Sequence, residues 1–100
     1  MIKTHTFDPT RYLQSEEEIA AYLEVAAEEA AELNDSNILL RAIENAAKAK
    51  GMMTVAKEAG VSRESLYKSL AHDAKPRFET IAKVLQALGV QMTFTPIKKA

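Results

Sequence analysis

The sequence has no cysteine and no tryptophan, only three glycines and three prolines, and 6% aromatic residues. Without cysteine there is neither a disulfide nor a thiolate metal ligand. Stability must therefore come from packing, and a reducing cytoplasm is the expected setting. Gly51, Gly60 and Gly89 stand alone, so no glycine-rich loop is available to cradle a phosphate. No apolar run approaches the ~20 residues that span a bilayer. The first residues, Met1 to Asp8, lack the apolar centre of a signal peptide. Serine, histidine and aspartate occur in no catalytic spacing, so no enzyme is expected. His5 and His72 lie far apart with no cysteine near either, so no metal or other cofactor is expected.

What the chain does have is length for one domain and an apolar fraction of 47%, enough for a modest core. Its net charge of -1 hides an uneven distribution. Residues 1–47 hold ten acidic and three basic side chains, a net of -7. Residues 48–83 hold eight basic and four acidic ones, a net of +4. Lys98 and Lys99 follow. One half of the chain therefore suits a polyanion, and the other would be repelled by it.

Hydrophobic periodicity divides the chain into helices. Residues 2–7 are β-prone, and Asp8-Pro9 breaks the chain. Ser15 with Glu18 predicts a capping box that opens a helix to about Leu33, with Ile19, Tyr22, Leu23, Ala26, Ala30 and Leu33 on its inner face. Glu17, Glu24, Glu28 and Glu32 fall on the opposite face. A second helix is predicted from about Ile38 to Ala49, with Leu39, Ile43 and Ala46 or Ala47 inward, ending at Gly51. Short helices follow over about Thr54–Ala59 and Arg63–Leu70. Pro76 suits the first turn of a last helix whose core face is Phe78, Ile81, Ala82, Leu85 and Leu88. Val90, Met92 and Phe94 alternate with Gln91, Thr93 and Thr95, the period of a strand.

The informative stretch runs from Met52 to Leu70. Ala56 is small where two helices must approach. Gly60, four residues on, permits a positive φ at the turn. Val61 is apolar beneath that turn, and Leu66 and Leu70 anchor the second helix. Together these residues predict a helix-turn-helix whose exposed face carries Ser62, Arg63, Glu64, Tyr67 and Lys68. Such a face enters the major groove of duplex DNA. Arg63 suits guanine, and Glu64 suits the amino group of cytosine. Thr54, Lys75 and Arg77, near helix starts, suit phosphate.

This segment resembles the Xre/Cro-type helix-turn-helix family over about residues 38–88, differing at Met52, where many members carry Gln. A broader resemblance rests on Phe7-Asp8-Pro9 with Tyr12-Leu13, on Ile19-Ala20-Ala21-Tyr22-Leu23, on Ser62 to Lys68, and on Pro76-Arg77-Phe78-Glu79-Thr80. These look like the addiction-module antidote family, Xre-type antitoxins related to HigA-like proteins. That resemblance implies a small basic RelE/ParE-like toxin as partner and repression of the operon encoding both. The glutamate stripe Glu17, Glu24, Glu28 and Glu32 is then a candidate toxin contact, with Phe7, Tyr12 and Leu13 as apolar anchors.

The sequence thus predicts an all-α, lambda-repressor-like five-helix bundle with short terminal β-strands that pair within or between chains. It predicts a single domain over 1–100: an acidic extension and helix (1–34), a DNA-binding core (35–89), and a strand and tail (90–100). One recognition helix exposes only about five contacting side chains, so a homodimer reading two half-sites is expected. A stand-alone phage-type repressor without a toxin, and a helical protein-interaction module that does not bind DNA, remain as alternatives.

Overall fold

The computed structural model describes residues 9–97. The expected strand at residues 2–7, the anchor Phe7 and His5 lie outside the described residues. Among those described there are five helices preceded by a single helical turn, and no strand.

That first turn, α1 (Pro9–Tyr12), replaces the expected break. Proline sterically ends a helix but is well suited to begin one, because its missing N–H would be unsatisfied there anyway. Helix α2 (Glu16–Leu33) starts at Ser15, whose hydroxyl accepts the Glu18 N–H at 3.1 Å. The reciprocal half of the capping box differs from expectation: the Glu18 carboxylate accepts the N–H of Gln14, one residue earlier, at 3.1 Å. Three glutamates in the first turn complement the helix dipole. Asn34, in the left-handed region, closes the helix as the Asp35 N–H reaches the Ala30 carbonyl.

Helix α3 (Ser36–Lys50) begins two residues before the predicted start because Asp35 caps it, its carboxylate accepting the Asn37 N–H at 3.0 Å. It is the central helix: α1, α2 and α4 (Met52–Ala59) all pack on it. Ala42, Ala46 and Ala47 are buried along α3, and side chains that end at Cβ let neighbouring helices approach closely. Asn45 of α3 donates to the Tyr22 hydroxyl of α2 at 2.9 Å, a polar tie in a half-buried seam. Short helix α5 (Arg63–Ser69) follows α4, and α6 (Phe78–Ala87) returns to pack on α4.

The largest fully buried side chains are Ile43, Leu66, Leu70, Leu88, Val55 and Val84. Each contributes about 1.5–3 kcal/mol on leaving water. Lys50 ties three helices together. Its ammonium donates to the Ala87 carbonyl at the end of α6 and lies 3.4 Å from the Glu58 carboxylate of α4.

Several expectations are corrected. Leu33 and Phe78 were expected inward but are 66% and 70% exposed. Each sits in a terminal turn of its helix, where the correct helical face extends past the edge of the core. Leu40 is buried in place of Leu39, which is half-buried, and the fully buried Val84 belongs to the core face of α6. Pro76 lies two residues before α6 rather than in its first turn. Residues 90–95 form no strand. Val90 packs against the core, but Gln91 to Ile97 continue exposed, with no hydrogen bond among the described residues. A strand requires a ladder partner, and this segment has none within the described residues.

Candidate nucleic-acid interface

Helix α4 buries Met52, Val55, Ala56 and Ala59, spaced i, i+3, i+4 and i+7, against the core. It stops at Gly60, whose φ of 75° and ψ of 28° are left-handed. The Gly60 N–H reaches the Lys57 carbonyl at 3.2 Å, and the Val61 N–H reaches the Ala56 carbonyl at 3.0 Å. This pair of bonds is a Schellman motif, which reverses the chain while satisfying the last carbonyls of the helix. Val61, packed against the core, holds the turn down.

Two residues later Ser62 caps α5. Its hydroxyl accepts the Ser65 N–H at 3.0 Å and lies 2.9 Å from the Ser65 hydroxyl. Leu66 and Leu70 are fully buried and clamp α5 to the bundle. Ser62, Arg63, Glu64, Tyr67 and Lys68 are all exposed. The structure therefore brings these five candidates onto one short helix and its cap. It also gives Ser62 a structural duty, since its oxygen is already used by the cap.

Arg63 is not an isolated side chain. Its guanidinium lies 5.4 Å from the centre of the Tyr67 ring, one helical turn on. A cation over an aromatic face is attracted by the ring's quadrupole, so this contact narrows the conformations Arg63 samples. Among the described residues, Arg63 and Lys68 form no ion pair, so both positive charges are available to an outside anion.

The remaining candidates lie on flanking elements. Thr54 is exposed in the first turn of α4, and Lys75 and Arg77 are exposed on the loop that leads to α6. Arg77 is the N-cap residue of α6 and provides no side-chain cap. This loop is fixed by a pairing of two residues that the sequence reading did not connect. Asn37, in the first turn of α3, donates to the Asp73 carboxylate and accepts the Asp73 N–H, both at 2.8 Å. Asp73 takes a φ of 62°, unusual for a residue with a side chain, and this reciprocal pair holds it there. No sequence signal links the two, which lie 36 positions apart, one at a helix start and the other in a short polar loop.

The acidic candidates divide. Glu17, Glu24, Glu28 and Glu32 are all exposed along one face of α2, and Tyr12 is 60% exposed. Leu13 is corrected: it is 6% exposed and belongs to the core. The segment before α2 folds back onto α3 through α1, so Leu13 faces inward instead of offering an anchor. Among the described residues, no three potential ligands gather as a metal site, and no helix is long and apolar enough to cross a membrane.

Comparison with known proteins covers nearly the whole chain. A protein of Haemophilus influenzae, described as an uncharacterized protein, is 43% identical over 85 residues, which is 85% of this chain and 84% of that protein. No solved structure matches the chain. The family described as "Probable addiction module antidote protein" matches residues 3–96. On that match the chain belongs to the family of probable addiction module antidote proteins.

Proposed function

We propose that this chain is the antitoxin of a type II toxin–antitoxin module, acting in the cytoplasm by binding rather than by catalysis. It neutralises a small basic RelE/ParE-like toxin and represses its own operon as a homodimer, through a helix-turn-helix of the Xre/Cro type. The antidote family supports the toxin partner. The observation that carries the DNA reading is α5 itself. A seven-residue helix, clamped by two buried leucines, turns an exposed face of Arg63, Glu64, Tyr67 and Lys68 to solvent beside a tight left-handed turn.

The charge division supports a two-sided molecule. Phosphate would repel the net -7 half, so on DNA that half points outward, where it is free to meet a cationic partner. The glutamate stripe of α2 then speeds encounter and selects the partner, while affinity comes from apolar contacts.

Co-expression tests this reading. The product of the adjacent gene should arrest growth when expressed alone. Co-expression with this chain should relieve the arrest and give a complex that survives purification. A harmless neighbouring product, or one that this chain neither binds nor silences, contradicts the toxin assignment.

A further inference from the structure

Helix α5 begins at Arg63, and Tyr67 stands one helical turn further on. Helical side chains lean toward the N-terminus, so the Tyr67 ring lies back over the turn that carries Arg63. The central carbon of the Arg63 guanidinium sits over that ring, 5.4 Å from its centre. Tyr67 is 37% exposed, so most of it is covered by protein, whereas Arg63 is exposed. Leu66 and Leu70, fully buried on either side of Tyr67 in the chain, hold the backbone beneath the ring. The ring is thus the anchored member of the pair, and the guanidinium is the one it holds.

A carboxylate at the same place would also attract the guanidinium, but it would accept its N–H donors and cancel its charge. An aromatic face attracts the cation through its quadrupole and leaves all five donors unused. Among the described residues, the Arg63 side chain makes no ion pair and no hydrogen bond. It is therefore held in place with its charge and its donors free.

We infer that Tyr67 is a positioning residue for Arg63: it holds the guanidinium for its two-bond contact with a guanine, and so sets how strongly the chain prefers its own site to other DNA. The inference rests on the reading of α5 as the recognition helix and deepens it. A long arginine side chain loses conformational freedom when it docks on a base. Tyr67 removes part of that freedom before DNA arrives, so less is lost on binding. The gain falls where Arg63 must meet guanine O6 and N7 in a fixed direction. Contacts to phosphate on unrelated DNA need charge more than direction, so they gain less.

Two measurements test this. In the full chain without DNA, the Arg63 δ-methylene protons should show an upfield ring-current shift by NMR, retained in Tyr67→Phe and lost in Tyr67→Leu. In titrations at fixed salt, Tyr67→Leu should lower the preference for the duplex upstream of its own gene over unrelated duplex by about three- to tenfold, and Tyr67→Phe should restore it. In an Arg63→Ala background, Tyr67→Leu should cost no further preference, a coupling that general damage to the fold would not reproduce. Absence of the ring-current shift overturns the proposal. A Tyr67→Phe variant as poor as Tyr67→Leu overturns it too, because the hydroxyl then makes a contact of its own. So does an equal loss with and without Arg63. A parent that does not distinguish its own duplex contradicts the reading of α5 itself, and this inference falls with it. A parent that does, beside an unchanged Tyr67→Leu, overturns this inference alone.

Discussion

Asn37 and Asp73 form a closed pair of hydrogen bonds, side-chain amide to carboxylate and backbone N–H to amide oxygen, both at 2.8 Å. The pair joins the first turn of α3 to the loop that carries Lys75 and Arg77. Both residues are surface groups, but each bond restrains the other, and together they keep Asp73 in a left-handed conformation.

Asn37→Ala removes both bonds and should cost about 1–2 kcal/mol in denaturant unfolding. Asp73→Gly, which accepts the backbone conformation but loses the carboxylate, should cost less. Equal losses for the two variants would show that the backbone conformation contributes nothing to the clamp.

Gly60→Ala isolates the turn. A Cβ at Gly60 meets nothing within 4 Å, so any loss comes from the positive φ alone. The expected cost is about 1–2 kcal/mol. Gly60→Asn should recover part of it, because asparagine tolerates that region better. Equal stability of the alanine variant would mean that the turn can adopt another conformation.

The turn at Gly60 was legible in the sequence because every residue that makes it lies within six positions. Ala56 supplies the small contact and the carbonyl, Gly60 the left-handed step and Val61 the apolar plug. The caps at Ser15 and Ser62 were legible for the same reason. Phe78 and Leu33 were misplaced because periodicity assigns a face without locating where the core ends along it. Pro9 was read as a break because proline at a helix start and proline in a loop look alike. The Asn37–Asp73 clamp and the Lys50 tie join residues 36 and 37 positions apart, which no local pattern encodes.

Lys50→Met keeps the length of the stem but removes the ammonium, leaving the Ala87 carbonyl and Glu58 without this donor. We expect a loss of about 1–3 kcal/mol, since the donor is charged and the site half-buried. The loss should persist in 1 M salt, because the bond to the carbonyl is screened less than a surface ion pair. If salt abolishes the difference between variant and parent, the Glu58 contact is the dominant one.

Changing Glu17, Glu24, Glu28 and Glu32 together to Gln keeps the exposed face of α2 polar and helix-forming while removing four negative charges. The variant should associate with the toxin at least tenfold more slowly at low salt, and the difference should shrink as salt rises. Association rates measured by stopped flow decide this. Equal rates at low salt would place the toxin contact on another surface.

The central claim is that α5 reads DNA. It is tested most directly by titrating the full chain into the duplex upstream of its own gene, at several salt concentrations, beside the Arg63→Ala/Lys68→Ala variant. The parent should bind that duplex more tightly than unrelated DNA, with affinity falling steeply as salt rises. Loss of Arg63 alone should account for about 1–3 kcal/mol of the preference. Undiminished preference in the double variant, or a parent that does not distinguish its own upstream DNA from unrelated duplex, would contradict the account.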